Sequence, residues 1–362
     1  MLEPTLEVHP ADSTAPASGT RPAPHVTVIM PVFNEEAFIA RSLEGVLAQD
    51  YPAELIEIIV ADGRSTDTTR DIVRRYQATH PRIQLIENPA RFRAAALNLA
   101  IPLASGEVVI CVDGHCEVAP DFVRQGVQLL DEHPEAWSVG GPTSHVGQNT
   151  FAKATAIAMS RRAGVGLAAH RFSDFEGYGE GAQFPAFRRW IFDRVGLFDE
   201  SMVRTEDDEL AFRIRQAGGK VFLSPRVRFQ YFVRDSIGKL FQQYSQYGFW
   251  RIPMLRKHKR PTTVRQTVPL LFFVLMLVLA VVGLVLGQPL VAAALPIAYL
   301  AVVFAVGLAA IPQAGFKVAC LVPVAILTMH TAYALGMAYG LFAMVTWPKA
   351  FDPEGPMSQQ RR

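Results

Sequence analysis

Acidic and amide side chains stand at a few points along this chain where chemistry could be built. They are Asn34 and Glu35, Asp62 beside Gly63, Asp113 with His115 two residues on, and the run Thr205-Glu206-Asp207-Asp208-Glu209. Ordinary carboxylates are ionised at pH 7, so they can take a proton or help to hold a divalent cation. An imidazole can join them, and suits Mn2+ better than Mg2+. The acidic run also has a plainer reading, a helix N-terminus whose dipole favours negative charge.

The elements around these residues alternate. Residues 26–33 (VTVIMPVF) are a continuous apolar, largely β-branched run, as a strand buried on both faces requires. Asn34 and Glu35 break it, and 36–49 has helical spacing of Phe38, Ile39, Leu43, Val46 and Leu47. Further strands are expected at 55–61, 83–86 and 108–112, with helices at 67–79, capped from Ser65-Thr66-Asp67, and at 94–103. This alternation predicts βαβ units and a mostly parallel sheet, whose ligands bind outside the carboxyl ends of the strands. Asn34, Glu35, Asp62, Gly63 and Asp113 all fall there. Beyond Trp137 the pattern loosens: strands are expected at 138–143, 221–223 and 227–232, helices at 151–162 and 207–217, and a Gly-rich loop at 177–181.

The net charge of +2 gives no basic field that would argue for nucleic acid, and the 50 % hydrophobic content is unevenly spread. Residues 266–316 and 318–348 contain no Asp, Glu, Lys or Arg. A spanning helix needs roughly 20 apolar residues, and spans are expected at 268–287, 289–311 and 318–345. The alternative, buried helices of a soluble protein, is disfavoured by these lengths. Residues 1–24, rich in Pro, Ala, Ser and Thr without a signal-peptide pattern, read as a disordered tail. That leaves the next domain in the cytosol, and Arg251, Arg256, Lys257, Lys259, Arg260 and Arg265 ahead of the first span agree. Lys349, Arg361 and Arg362 after a third span pull mildly the other way. The expected division is a tail (1–24), a catalytic domain (25–235), an amphipathic interfacial segment rich in aromatics and bases (236–265), a transmembrane region (266–346) and a C-terminal tail (347–362). Cys111, Cys116 and Cys320 are too few for a disulfide framework and are expected to be buried free thiols.

Pro31-Val32-Phe33-Asn34-Glu35, Asp62-Gly-Arg-Ser-Thr-Asp67, Asp113-Gly-His115 and Thr205-Glu206-Asp207 occur in this order. Together they resemble family 2 glycosyltransferases of the GT-A fold, over roughly residues 25–251. Within that family the chain is similar to succinoglycan-type exopolysaccharide glycosyltransferases. It shares with them Asp-x-His in place of Asp-x-Asp, Asn88-Pro89 ahead of Ala96-Leu97-Asn98, and a hydrophobic tail.

The resemblance implies a GT-A, Rossmann-like α/β domain followed by transmembrane helices. It implies a nucleotide-diphosphate sugar donor, with a UDP-sugar expected, and a polyprenyl-linked glycan acceptor at the bilayer. The enzyme would then be a multi-pass protein of the cell membrane with a cytoplasmic catalytic domain. Pro31, Val32, Phe33, Glu35 and Asp62 would line the nucleotide site, with Asp67 either joining them or serving its helix. Asp113, with His115 as ligand or mere turn residue, would hold Mn2+ or Mg2+. Asp207 would be the general base of an inverting displacement. Glu206, Arg188, Gln243, Trp250 and Arg251 are candidates for acceptor or phosphate contacts, the last three with interfacial anchoring as the alternative. Rival readings are a polyprenyl-phosphate sugar synthase and a catalytically silent partner in polysaccharide assembly. A dinucleotide-binding oxidoreductase falls, because no G-x-G-x-x-G follows the first strand.

Overall fold

A computed structural model of the chain describes residues 22–202, 204–259, 261, 263–347 and 351. Most of the expected N- and C-terminal tails therefore lies outside the described residues. The first half runs β1 (Val26–Val32), α1 (Ile39–Leu47), β2 (Ile56–Asp62), α2 (Thr69–Thr79), β3 (Ile83–Glu87), α3 (Arg93–Ala100), β4 (Val108–Cys111), β5 (Glu117–Val118), α4 (Phe122–Glu132), β6 (Ala136–Gly141) and β7 (Ser144–Val146). It continues through α5 (Thr150–Met159), α6 (Arg162–Val165), β8 (Gly177–Gly179), β9 (Gln183–Arg188), α7 (Ile191–Val195), α8 (Glu206–Gln216), β10 (Lys220–Leu223) and β11 (Phe229–Phe232). The apolar half holds α9 (Ile237–His258), α10 (Val268–Val285), α11 (Pro289–Ala309), α12 (Ile311–Ala314), α13 (Phe316–Ala319) and α14 (Val322–Thr346).

The large sheet has the order β3-β2-β1-β4-β9-β6-β10-β8, and β5-β11-β7 form a small second sheet. Strands β1 to β4 are parallel, while β9 runs antiparallel between β4 and β6. The expected Gly-rich loop at 177–181 is instead partly strand β8, because its glycines pair with Val221–Leu223. Gly179 lies so close to Leu223 that a Cβ there would sit 2.6 Å from its Cδ1.

Alternation along the strands divides the core in two. Val28, Met30, Ile58, Val60 and Ile110 pack with Leu43 and Val46 of α1, Val73 of α2 and Leu129 of α4. Ile29, Ile59 and Val109 face the other way, onto Leu97 of α3, Ile191 of α7, and Leu210 and Ile214 of α8. Burial of each such side chain stabilises the fold by about 1.5–3 kcal/mol. It also fixes strand register, which in turn fixes the strand ends: Val32 lies opposite Asp62, and Asp62 opposite Glu87.

Three apolar stretches, Val268–Val285, Pro289–Ala309 and Phe316–Thr346, are long enough to cross a membrane. The first two bury almost none of their residues, whereas the last is half-buried. Its cover is α9. The helix of the aromatic-basic segment, expected at the membrane interface, packs lengthwise on α14 through glycines. A Cβ at Gly248 would strike the Tyr333 carbonyl, and one at Gly336 the Ser245 carbonyl. Gly336 and Gly340, one helical turn apart, are the small-residue seam that permits such approach between apolar helices. Cys111 and Cys116 are buried free thiols as expected, but Cys320 is exposed.

Candidate active site

The loops after β1 and β2 are joined by hydrogen bonds before any ligand arrives. Asn34 takes the left-handed conformation (φ 51°) that Asn tolerates well. Its Oδ1 accepts from Thr66 N at 2.8 Å, and its own N–H donates to Ser65 Oγ at 2.9 Å. Glu35 N donates to Thr69 Oγ1 at 2.8 Å. Asp67 closes the seam, accepting from Glu36 N at 3.2 Å and Thr69 N at 3.0 Å. Burial works against its charge, but the Thr69 and Glu36 hydrogen bonds outweigh it and hold the carboxyl below the usual range. Both oxygens of Asp67 thus serve the loops, the structural alternative weighed for it. Asp62 is turned under its loop, 1 % exposed, accepting from Ser65 N at 3.1 Å with Arg70 Nε at 3.4 Å. Pro31 and Val32 end β1 beside it, and Phe33 carries the Arg91 guanidinium 5.8 Å from its ring centre.

The turn after β4 is pinned from α1: Ser42 Oγ donates to the carbonyls of Gly114 and Cys116 at 2.8 and 3.0 Å. A Cβ on Gly114 would fall 2.7 Å from Val32 Cγ1, so only glycine lets the turn close onto β1. This brings His115 to Glu35, with Nδ1 and Oε1 2.9 Å apart. That hydrogen bond is the main cause raising the imidazole above its ordinary pKa, and it leaves Nε2 as the atom able to bind a cation. Asp113 Oδ1 accepts from Arg93 Nε at 2.9 Å. Burial opposes the Asp113 charge, but Arg93 and then His115 hold the carboxyl below the usual range. Among the described residues no group of three or more His, Cys, Asp or Glu side chains converges on one point. The candidate donors are Asp113 and His115, with Glu35 behind the imidazole. This suits a divalent cation that draws its other ligands from phosphate oxygens and water.

Arg93 is the residue that reading the sequence missed. Its Nη1 donates to Glu206 Oε1 at 3.2 Å, so one guanidinium joins the end of β4 to the start of α8. A signal was present: Arg93 is a cation at the N-terminus of a helix, the end that repels it unless carboxylates lie near. Asn98 makes the second tie, accepting from Phe198 N and donating to its carbonyl, both at 2.9 Å.

The acids of α8 separate by partner. Glu206, 6 % exposed, is paired with Arg93. Asp208 is paired with Arg251, and burial notwithstanding, that cation holds it below the usual carboxylate range. Glu209 is fully buried and meets Arg213 at 2.8 Å, Lys257 at 2.6 Å and His258 at 3.0 Å. Asp207 alone of the run has no cation within ion-pair distance among the described residues; its Oδ1 accepts only from the Asp208 N–H, at 2.8 Å. It is solvent-exposed yet ringed by protein. Burial, then the Asp208 charge, raises its carboxyl above the usual range, and burial with the Asp207 charge does the same to Glu206.

Three expected contacts are not brought here. Arg188 lies opposite Val108, at the amino end of β4, and donates to the Ala136 and Leu130 carbonyls, because β9 runs antiparallel and carries its last residue away from the site. Trp250 is 3 % exposed and packs on Phe249 and Phe351, so it offers no face for a sugar. Gln243 is buried against Tyr231 and Tyr247. Arg251 does reach the acidic helix, but as the partner of Asp208.

The comparisons with known proteins agree with this architecture. Residues 27–194 match the family model described as glycosyl transferase family 2. The succinoglycan biosynthesis protein ExoA of Rhizobium meliloti is 32 % identical over 246 residues, covering 67 % of this chain and 74 % of that protein. A Methanococcus voltae dolichyl N-acetyl-alpha-D-glucosaminyl phosphate 3-beta-D-2,3-diacetamido-2,3-dideoxy-beta-D-glucuronosyltransferase is 28 % identical over 243 residues, covering 64 % of this chain and 74 % of that one. The mannosyltransferase PcManGT of Pyrobaculum calidifontis, solved with GDP-Man and Mn2+, superposes with a TM-score of 0.58 at 23 % identity, over 90 % of this chain and 88 % of its own. With the sheet order, the strand-end acids and these likenesses together, the chain belongs to glycosyltransferase family 2 and is a glycosyltransferase built on the GT-A fold.

Proposed function

We propose that the protein transfers a sugar from a nucleotide-diphosphate donor, expected to be a UDP-sugar, to a hydroxyl of a lipid-linked glycan in exopolysaccharide or cell-envelope synthesis, with inversion at the anomeric carbon. The observation that carries this reading is the Arg93 bridge from Asp113 to Glu206, which sets the donor-side acid and the helix bearing Asp207 on one cleft. Asp207 takes the proton of the acceptor hydroxyl as that oxygen bonds to the anomeric carbon and the nucleoside diphosphate departs. Asp207 has no ion-pair partner among the described residues, and its raised pKa suits a base, since a positioned carboxylate of higher pKa accepts a proton more readily. Pro31, Val32, Phe33 and Glu35 line the nucleotide side. Asp113 and the Nε2 of His115 would hold a divalent cation, Mn2+ or Mg2+, which when bound neutralises charge on the diphosphate. Arg93 keeps Asp113 ionised and aimed, and Glu35 fixes the His115 ring.

The apolar helices, and the Lys and Arg residues ahead of the first of them, support a cell-membrane enzyme whose catalytic domain faces the cytoplasm. Such anchoring would hold the enzyme on the surface to which a lipid-linked acceptor is confined. The test is nucleoside-diphosphate release by the full chain in detergent, over a panel of nucleotide sugars with a polyprenyl-linked acceptor extract, with Mn2+, Mg2+ or EDTA. Cation-dependent release with one donor is expected, falling by about 10²–10⁴-fold in Asp207→Asn while nucleotide affinity is kept. Normal turnover in that variant would remove Asp207 as base, and turnover in EDTA would remove the cation.

A further inference from the structure

Beside the acidic helix lies a second polar cluster that the donor chemistry does not use. Arg171 follows the turn after α6, and its Nη1 approaches His145 Nε2 of β7 at 3.2 Å. Around it stand Tyr231 of β11 and Tyr244 and Tyr247 of α9. Gln243 links two of these phenols: its Nε2 lies 2.8 Å from the Tyr231 hydroxyl and 3.1 Å from that of Tyr247.

The charge balance of this cluster is unusual. Among the described residues no carboxylate lies within ion-pair distance of Arg171, and the nearest acid to influence it, Asp208, is already paired with Arg251. The other neighbours supply no anion. Burial pushes the Tyr244 phenol up to about 12 and Tyr247 further, so both stay protonated. Burial, then Arg171 itself, drives His145 down to about 3, so it stays neutral. A half-buried cation without a counter-charge among the described residues carries a desolvation cost, which is relieved when an anion arrives. Hydrogen-bond donors are also left over. The Gln243 side chain, 8 % exposed, has its Oε1 without any partner. Turned about, which heavy-atom positions allow equally, the amide would accept from both phenols and leave its NH2 group unpartnered instead. In the first orientation the phenols accept from the amide, and because Tyr247 and Tyr231 also share a hydrogen bond, one phenolic proton is left to donate. Either way the cluster presents a guanidinium and spare N–H or O–H groups, the set that binds phosphate oxygens.

Its place in the fold indicates which phosphate. Tyr244 belongs to the same apolar cluster as Val322, Ala325 and Met329 of the last long apolar helix, and Tyr231 and Tyr247 pack against that cluster. Arg171, His145, Tyr231 and Tyr247 are half-buried, so part of the cluster meets solvent. We propose that Arg171, with Tyr231, Tyr244, Tyr247 and Gln243, seats the phosphate group of a prenyl-phosphate-linked acceptor between the catalytic cleft and the apolar helices. This assignment rests on the lipid-linked acceptor proposed above and names the side chains that recognise its headgroup. It also gives buried Gln243 a purpose beyond packing.

The experiment measures binding without turnover, on the full chain in detergent, by isothermal titration with citronellyl phosphate, citronellol and inorganic phosphate. Citronellyl phosphate is expected to bind and citronellol not to. Arg171→Gln should weaken citronellyl phosphate at least tenfold while leaving nucleoside-diphosphate affinity unchanged. The paired variant Tyr231→Phe/Tyr247→Phe, which keeps the bulk of both rings, should weaken it three- to tenfold and guards against a misfolded Arg171 variant. Equal affinity in wild type and both variants would overturn the site. Inorganic phosphate binding as tightly as citronellyl phosphate, with the same dependence on Arg171, would overturn the lipid source in favour of a free anion. Sugar transfer proceeding normally in a protein that binds no citronellyl phosphate would overturn the recess while leaving the transferase reading intact.

Discussion

The two walls of the cleft are held by different forces. On the donor side, the loops after β1 and β2 interlock through hydrogen bonds of Asn34, Ser65, Asp67 and Thr69, all within the sheet domain. On the acceptor side, α8 is tied by ion pairs, through Glu206 to Arg93 and through Asp208 and Glu209 to Arg251, Lys257 and His258 of α9. Helix α9 in turn lies on α14 through its glycine seam. The donor wall is thus complete in one domain, while the acceptor wall is continuous with the apolar helices. On the proposed function, a soluble nucleotide sugar would need only the first, whereas a lipid-borne acceptor would be met by the part of the enzyme that the apolar helices position.

The strongest way to break this contrast is at Glu209. Removing a fully buried carboxylate leaves Arg213, Lys257 and His258 without it, a loss of about 3–5 kcal/mol by the usual cost of splitting a buried pair. Glu209→Ala should lower the melting temperature sharply and abolish transfer, and an unchanged melt would mean α8 and α9 are not coupled. Next comes Gly336→Leu, which forces α9 off α14 at a cost of about 1–3 kcal/mol or more. Transfer to the lipid acceptor should fall well below wild type while nucleotide affinity, read by titration, stays within about twofold; loss of both together would erase the distinction between the walls. On the donor wall, Asp67→Ala removes two hydrogen bonds to a charged acceptor, and should cost about 1–3 kcal/mol of stability and loosen nucleotide binding modestly. The mildest probe is pH. Burial and like charge raise Asp207 and Glu206, so the base loses its charge, and kcat falls, as pH drops through a value above that of an ordinary aspartate. Asp67 is held low and stays ionised through that window, so nucleotide binding should persist to lower pH than turnover. Coincident acidic limbs would sink that separation.

Legibility in the sequence followed the same division. Strands β1 to β4 were marked by β-branched runs, and their ends by Asn34-Glu35, Asp62-Gly63 and Asp113, because burial on both faces leaves few alternatives to an apolar strand. The proposed donor wall is made where those strands stop, and the position of those stops was legible in the sequence. The long apolar helices were equally plain from the absence of charge over tens of residues. The aromatic and basic residues of α9 suggest an interfacial segment but say nothing of its partner. That partner rests on Gly248 against the Gly336–Gly340 seam, a pairing some ninety residues apart in the chain.

What the sequence determined by itself was the set of elements and the acids at their ends, because periodicity and strand termination are local properties. Which acid is spoken for was decided only by tertiary structure. Four consecutive carboxylates look alike on paper, yet Arg93 from α3 takes Glu206, Arg251 takes Asp208, and Arg213, Lys257 and His258 take Glu209, leaving Asp207 without an ion-pair partner among the described residues. Likewise Arg188 and Trp250 have suitable chemistry but are carried elsewhere by strand direction and helix packing, and Gln243 is held among tyrosines apart from the acidic helix. Charge pairing and burial are properties of what folding brings near. Residues far apart in sequence therefore set the ionisation and reach of a side chain whose own type says little about either.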